Sequence, residues 1–513
     1  MDSMYGDAEE VVVWLGDSSN DSKVAISTIK KWSEWYELKG KADKDAAFSV
    51  AEDLPLAFEA SAIEAVSNLL SRPYWERVWV VQEVACAKEV LVMCGSERLA
   101  FDDFENACFA WDMVCDSLYY SRSVSSQFLK LDSLRHRHLQ QMIRHRNFRI
   151  LSYLDLDRPR APFLAVLESC RHLKCSNPRD KIYGFLALGG PHTSRFTAIA
   201  SPDYKKSTEE VYCEVAERLL LDDQSLRLVA IASGVSSCPT NITKLSLPSW
   251  VPDWTCGDSL QRLNFDFVKP GDNLGDGVDI GQFVRFSDDH RTLVAKGVIY
   301  DTIAKTYPPE WLTDMKAHKA SILGSLLGEE SSSGIPKFQG LFQALSLNME
   351  WPEPGNAESR RSFLNKAGWY LWKFWPRDGE ESSHDPTGVL LALDFFRSAP
   401  VVLFQEFEAM IRTGIRWKES DVQKDIVDFW EAATRRMRHR ILFETEQGRI
   451  GLGPLDTRMG HKICILHGFS GPLCLESSGS WFILRGECCV AGLSVTDLAT
   501  ALTSLPSQDI EIH

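Results

Sequence analysis

The sequence predicts an α/β chain in three parts. Residues 1–190 form a domain of helices around a parallel sheet, 191–439 a helical and irregular middle region, and 440–513 a small antiparallel β-module. Three observations predict it. Val11-Val12-Val13-Trp14-Leu15-Gly16 is a continuous apolar run closed by glycine, the pattern of a strand buried on both faces. Glu89 to Cys94, ending at Gly95, is a second apolar, β-branched run, and helical periodicity fills the interval between the two, which makes a parallel pairing. From Arg440 onward the chain changes to short apolar runs separated by glycine turns.

The elements follow in chain order. Met4 to Ala8 leads straight into the first strand, and a buried strand with no neighbour upstream predicts that the N-terminus is incomplete. Ser22 to Leu38 reads as a helix with Ile26, Ile29 and Trp32 on one face. Lys39 to Ala51 reads as a charged loop, and Leu56 to Leu70 as a second helix with Ile63, Val66 and Leu70 as its stripe. Arg72-Pro73 opens the next segment, since proline suits the first turn of a helix. One helix is then predicted from Tyr74 to Lys88, with Trp75, Val78, Trp79 and Cys86 at helical spacing. Phe101 to Val114 and Ala161 to Cys170 are further helices. Asn177-Pro178 makes a turn that leaves Asp180 to cap a helix over Lys181 to Leu188.

Thr208 to Leu221 is an amphipathic helix. Leu247 to Trp254 holds two prolines and is irregular, pinned to the core by Trp250 and Trp254. Asp279 to Lys305 has strand-like runs, residues 328–334 and 375–388 read as mobile loops, and Val401 to Arg440 as mostly helix. Arg440 to Thr445, a turn at Gly448, and Arg449 to Leu452 form a hairpin. Lys462 to Leu466, Leu473 to Leu475, Trp481 to Leu484 and Cys488 to Ala491 are the module's remaining strands.

Composition bounds the function classes. The net charge of −15, from 56 basic and 71 acidic residues, argues against nucleic-acid binding through bulk charge. The 13 cysteines, an odd number set in apolar runs, read as free thiols in a reducing, intracellular compartment, so the sequons at Asn20 and Asn241 carry no meaning. The acidic start has no apolar signal-peptide core, and no apolar run reaches the ~18 residues a membrane helix needs.

Several patterns bear on chemistry. Gly448-Arg449-Ile450-Gly451-Leu452-Gly453 spaces its glycines wrongly for a dinucleotide loop and sits in a hairpin. Cys170, His172 and Cys175 are three metal-type ligands where a structural zinc site wants four. The basic run over 135–149 puts its charges at nearly every helical azimuth and reads as a solvated face. Trp79 and Glu83 lie four apart and share a helix face. Glu83 is therefore either a cleft carboxylate or a helix charge paired with Arg77 or Lys88.

Taken together, the motifs resemble the fungal heterokaryon incompatibility (HET) domain. Met4 to Ala8 with Val11 to Gly16 resembles its "iY..A..v.vWLG" block, which includes Trp14 and Gly16. Arg72 to Glu83 resembles "R.W..R.W..QE", with Arg72, Trp75, Arg77, Trp79 and Gln82 at the motif positions. Pro178 to Gly184 resembles "prDkiYgll" through Arg179, Asp180 and Tyr183, Leu247 to Trp254 resembles "LPSWvPDW", and Gly448 to Gly492 resembles the usual tail. The family's opening "LSYxWG" and "IDaxCINQ" blocks are absent, so the resemblance enters about halfway through the domain.

The resemblance implies an incomplete TIR-like, flavodoxin-like parallel-sheet domain. It implies a cytoplasmic role in nonself recognition and programmed cell death, with protein partners or self-association. No cofactor, nucleic acid or membrane span is expected. Some TIR domains cleave NAD with a helical glutamate in a Trp-x-x-x-Glu setting, which implies NAD as a substrate and Glu83 as the catalytic carboxylate. The second reading is an interaction module without chemistry.

Overall fold

The computed structural model describes residues 2–40, 60–121, 163–189, 200–232 apart from 225, 245–256, 279–313 and 439–513, with a few single positions besides. The readings for 41–59, 135–149, 328–334, 375–388 and 401–436 lie outside these residues. The chain groups into two compact units, Met1–Thr208 with Trp254–Gly257, and Glu209–Asp253 with Asp258–His513. Both are mixtures of helix and sheet.

The first unit is built on three strands, β1 (Val11–Trp14), β2 (Val90–Cys94) and β3 (Glu97–Ala100), in the order β1-β2-β3. β1 pairs parallel with β2, as the sequence predicts, with Val13 opposite Val92. β3 turns back antiparallel to β2 through a turn at Gly95, whose φ of +57° favours glycine. Helices α1 (Asp2–Asp7), α2 (Ser22–Trp35), α3 (Ala60–Leu70), α4 (Val78–Cys86) and α5 (Phe101–Ser121) accompany the sheet. The face carrying Val13, Val92 and Leu99 is buried, with α2 and α5 against it. The predicted stripe of α2 holds, with Ile26, Ile29 and Trp32 buried; in α3 Ile63 and Val66 are buried, but Leu69 is buried in place of Leu70, which is half-buried. Trp32 stacks on Trp111 of α5 at 5.4 Å between ring centres.

Two expectations are corrected. β1 is not buried on both faces: Val13 is fully buried, whereas Val12 and Trp14 are each 48% exposed, because among the described residues β1 is covered on one face and paired on one edge. The helix expected over Tyr74 to Lys88 is two pieces, a 3₁₀ turn at Pro73–Glu76 and then α4. Arg77 between them is extended because it forms a parallel bridge with Lys174, whose carbonyl accepts the Val78 N–H at 3.0 Å. A partner remote in sequence overrides the local helical preference.

The second unit contains α8 (Thr208–Asp223) and α9 (Arg227–Ala232), preceded in the chain by α6 (Phe163–Ser169) and α7 (Asp180–Tyr183) of the first unit. Its strands are β4 (Val284–Phe286), β5 (Leu293–Thr306), β6 (Arg440–Thr445), β7 (Ile450–Pro454), β8 (Lys462–Leu466), β9 (Pro472–Ser478), β10 (Trp481–Glu487), β11 (Cys489–Val490) and β12 (Gln508–Ile512). α10 (Glu310–Thr313) follows β5, and α11 (Val495–Ser504) precedes β12. The strands from β6 to β11 form where the sequence predicts them. The sheet also takes β4 and β5 from the stretch before 313, and β12, which was not foreseen.

β5 pairs with β12, β12 with β10, β10 with β9, β9 with β8, and β8 with β5 again, so five strands make a closed circuit. Closure leaves those strands no free edge in the circuit. The narrowest joint is β10 with β12, a parallel contact at Phe482 and Ile512. Ser249 stitches this joint. Its N–H donates to the His513 carbonyl at 3.0 Å, its hydroxyl donates to the same carbonyl, and its Oγ accepts the Leu484 N–H at 2.8 Å. The proline-bounded segment expected to be irregular therefore seals the circuit, with Trp250 buried and its indole N–H on the Arg291 carbonyl at 3.1 Å. α11 packs Leu498, Ala501 and Leu502 against Val298, Ile463 and Ile465, and starts at a capping box between Ser494 and Asp497.

Candidate functional site

The motif residues of the first unit gather around α4 and α7. Proline at position 73 opens the 3₁₀ turn after an extended Arg72. The Arg72 guanidinium donates to the carbonyls of Leu15 at 2.8 Å and Asp17 at 2.6 Å, and to the hydroxyls of Ser19 and Ser22 at 3.1 Å each. It holds the loop that leaves β1, where Gly16 has a φ of +92°. Trp75 is buried against Phe104 at 5.4 Å, and its indole N–H donates to the Leu69 carbonyl at 3.2 Å.

α7 is anchored more densely. Asp180 does not cap a helix as expected, and α7 is a single turn whose N-cap is Arg179 with no side-chain capping bond. The Asp180 carboxylate instead accepts the Trp79 indole N–H at 3.2 Å on one oxygen and the Tyr204 hydroxyl at 2.8 Å on the other. Burial and then the Asp180 bond push the Tyr204 phenol up to about 12, so it stays a donor. Arg179 donates to the carbonyls of Tyr204 and Lys206 at 2.6 Å each and lies 5.3 Å from the Tyr204 ring centre. Tyr183 donates to the Asp203 carbonyl at 3.1 Å. The buried Lys181 ammonium donates to the carbonyls of Arg171, at 2.6 Å, and Leu173. Arg72, Trp75, Trp79, Arg179, Asp180 and Tyr183 thus hold backbone and one another in place.

Glu83 is different. It is half-buried and accepts the Tyr74 hydroxyl at 2.8 Å on Oε2. Neither Arg77 nor Lys88 forms an ion pair with it among the described residues; Arg77 is exposed, and Glu76 rather than Glu83 takes the lysine, Lys174, at 2.7 Å. Burial first and Glu83 second push the Tyr74 phenol above its ordinary value, and Tyr5 of α1 is raised by the same two causes, with Arg77 opposing. Two protonated phenols therefore attend one carboxylate. This arrangement can position a carboxylate against developing positive charge, with Oε1 left unbonded by the described residues. Gln82, next to it, is buried, and its Oε1 has no hydrogen-bond partner among the described residues. The sequence reading missed Tyr5 and Tyr74; Tyr74 sits nine positions before Glu83, across the break at Arg77, which no helical spacing rule covers.

The other patterns resolve simply. Among the described residues no three His, Cys, Asp or Glu side chains converge on a metal site, so Cys170, His172 and Cys175 do not. The glycines of Gly448 to Gly453 serve the β6–β7 hairpin, and a Cβ at Gly451 would meet the Phe443 ring at 2.1 Å. Cys86, Cys94, Cys108, Cys170, Cys464 and Cys474 are buried free thiols, whereas Cys256 departs from the expectation in being disulfide-bonded. No described helix is long and apolar enough to cross a membrane.

Residues 1–83 match the family described as heterokaryon incompatibility protein (HET). The chain is also similar to heterokaryon incompatibility protein 6, OR allele, of Neurospora crassa, at 24% identity over 297 residues that cover 50% of this chain and 41% of that protein. It therefore spans about two fifths of the length of the relative it matches, 41%. No solved structure matches the chain.

Proposed function

We propose that this chain is a heterokaryon incompatibility (HET) domain protein and that it acts in fungal nonself recognition by signalling programmed cell death through protein contacts. The observation that carries this reading is the division of labour among the motif residues. Arg72, Trp75, Trp79, Arg179, Asp180 and Tyr183 are consumed by internal hydrogen bonds and packing, while Trp14 and Arg77 of the same motifs stand exposed. Exposed aromatic and arginine side chains on a braced scaffold are the material of a protein interface. The parallel β1–β2 pair with helices between its strands supports a TIR-like sheet for this domain. The test is expression of the chain in a filamentous fungal host, scored for growth arrest and dye uptake. Arrest that is lost in Trp14→Ser and Arg77→Ser, with protein levels held, is the expected result. Normal growth at high expression of the chain and of a longer form would overturn the death role.

A second reading rests on Glu83. A half-buried carboxylate with a neutral phenol donor and, among the described residues, no cationic partner suits an NAD glycohydrolase, in which it steadies the oxocarbenium-like charge as nicotinamide leaves. Incubation with NAD and assay of free nicotinamide separates the readings. Turnover that survives Glu83→Gln removes Glu83 from the chemistry, and no turnover from the chain or a longer form removes the enzyme.

A further inference from the structure

The connection between β7 and β8, residues 455–461, closes over a buried thiol. Cys474 of β9 is fully buried, and among the described residues two side chains of this connection meet its sulfur. His461 Nδ1 lies 3.7 Å from the Cys474 Sγ, and the Thr457 hydroxyl lies 3.9 Å from it. Burial pushes the Cys474 thiol up to about 12, so it is a neutral S–H and not the partner of a charged imidazole.

His461 holds the connection in shape. It is buried, and its Nδ1 accepts the Arg458 backbone N–H at 3.2 Å. A backbone N–H only donates, so Nδ1 carries a lone pair and the ring proton is on Nε2. Nε2 stands 3.7 Å from the Glu476 carboxylate of β9. That carboxylate is committed to Arg485 of β10, which also takes Asp456 at 2.9 Å. Around the ring, Glu476 and Asp456 favour a second proton, Arg485 and Arg458 oppose it, and burial, the largest influence, holds the imidazole below 6.5. β5 meets this end of the connection with backbone. The Ile303 N–H donates to the His461 carbonyl and the Gly460 N–H to the Ile303 carbonyl, each at 2.8 Å. Asp301 of β5 and Lys462 of β8 are bonded to Thr302 instead, at its N–H and its hydroxyl.

A second proton on the ring would sit on Nδ1, face to face with the Arg458 N–H, and two donors cannot share that position. The Asp456–Arg485 pair and the Ile303 bonds still hold the two ends, so the break is confined to the stretch between them. We propose that residues 457–460 are a proton-operated cover: a proton added to His461 Nδ1 detaches Arg458 and lifts Thr457 from the Cys474 sulfur, so that in mild acid the thiol meets solvent and thiol-reactive molecules. In the open form the imidazole returns to its ordinary ~6.5, above its value under the cover. Protons therefore favour opening, and the closed form is at full strength above ~6.5 and weakens as pH falls. The device goes beyond the contact and NAD readings and stands if both fail.

The test uses the whole chain and 4,4′-dithiodipyridine, with each labelled cysteine located by peptide mass. Rates are divided by that of a free cysteine peptide at the same pH, which removes the thiol's own pH dependence. Cys464 of β8, equally buried, reports any wider opening. From about pH 7.5 to about 5.5 the Cys474 rate should rise about tenfold, the factor set by protonation of a group of pKa ~6.5, while Cys464 stays flat. His461→Gln offers Arg458 an acceptor and takes no proton, so the rise should vanish. Should that variant disturb the fold, hydrogen exchange at the Arg458 amide of the unaltered chain reads the same bond. Its protection, corrected for intrinsic rates, should fall about tenfold over the same interval. A flat Cys474 rate, a rise shared with Cys464, a rise that survives His461→Gln, or an Arg458 amide equally protected at both pH values would overturn the proposal.

Discussion

The β1 end of the first unit and the β5 circuit of the second solve the same problem in opposite ways. β5 gives its backbone groups to β4, β12, β8 and β6 along its length, and the strands that follow return to it. Among the described residues, β1 is bonded along one edge and buried on one face. The polar chemistry differs accordingly. In the second unit, buried Arg440 of β6 pairs with Glu487 of β10 at 3.2 Å, and Ser249 closes the narrowest joint of the circuit. Around β1, Arg72 fastens the exit loop. A sheet that satisfies itself depends on its buried polar joints, whereas a strand half exposed among the described residues tolerates change on its open face.

The largest way to break this comparison is Arg440→Ala. It takes the guanidinium away from the buried Glu487 carboxylate, which keeps the Leu263 N–H as a donor, and removing one partner of a buried pair costs about 3–5 kcal/mol. Urea unfolding with exchange read on β6 and β7 should show that loss, and a change under about 1 kcal/mol would make the pair incidental. Ser249→Ala comes next. It leaves the Leu484 N–H without its acceptor, a cost of about 1–3 kcal/mol, with faster exchange confined at first to β10 and β12.

Acidification should follow. Burial holds the His461 pKa below 6.5, and the bond from Arg485 holds Glu476 below 4.5. Both groups bind more protons unfolded than folded, so the second unit loses stability as pH falls, first below about 6.5 through His461 and then below about 4.5 through Glu476. Melting curves across that range check the sign, and His461→Gln should remove the earlier step. The smallest effect is expected at the open edge: Trp14→Ser should change stability by no more than about 0.5 kcal/mol, because half of that side chain is already in water. A loss comparable with Arg440→Ala would mean that β1 is closed in solution.

Local pattern made much of this legible. β1, α2, α3 and β2 follow from apolar runs and helical stripes, and β6 to β9 from short runs between glycine turns. What was missed depends on partners far along the chain. The break at Arg77 needs Lys174, the role of Asp180 needs Trp79 and Tyr204, and the exposure of Val12 and Trp14 depends on what fails to pack there. β3 was overlooked because Glu-Arg-Leu-Ala is short and charged, and β12 because Gln508 to Ile512 carries only two buried apolar residues. At the candidate site the position of Glu83 was readable and its environment was not, since Tyr74 reaches it only because the helix is interrupted.

The closed circuit also sets the order in which this protein can be made. β5 ends at Thr306, and its partner β12 ends at Ile512, with Leu293 paired to that last strand residue. A ribosome adding about 5–20 residues per second needs roughly ten to forty seconds to synthesise the interval between them. Throughout that time the apolar residues of β5 have no native partner on the β12 side. Pairing across so long an interval is slow in itself. A nascent chain released before Gln508 would leave the ring open, and such fragments should be captured by chaperones or degraded, while the chain released after Ile512 should escape both.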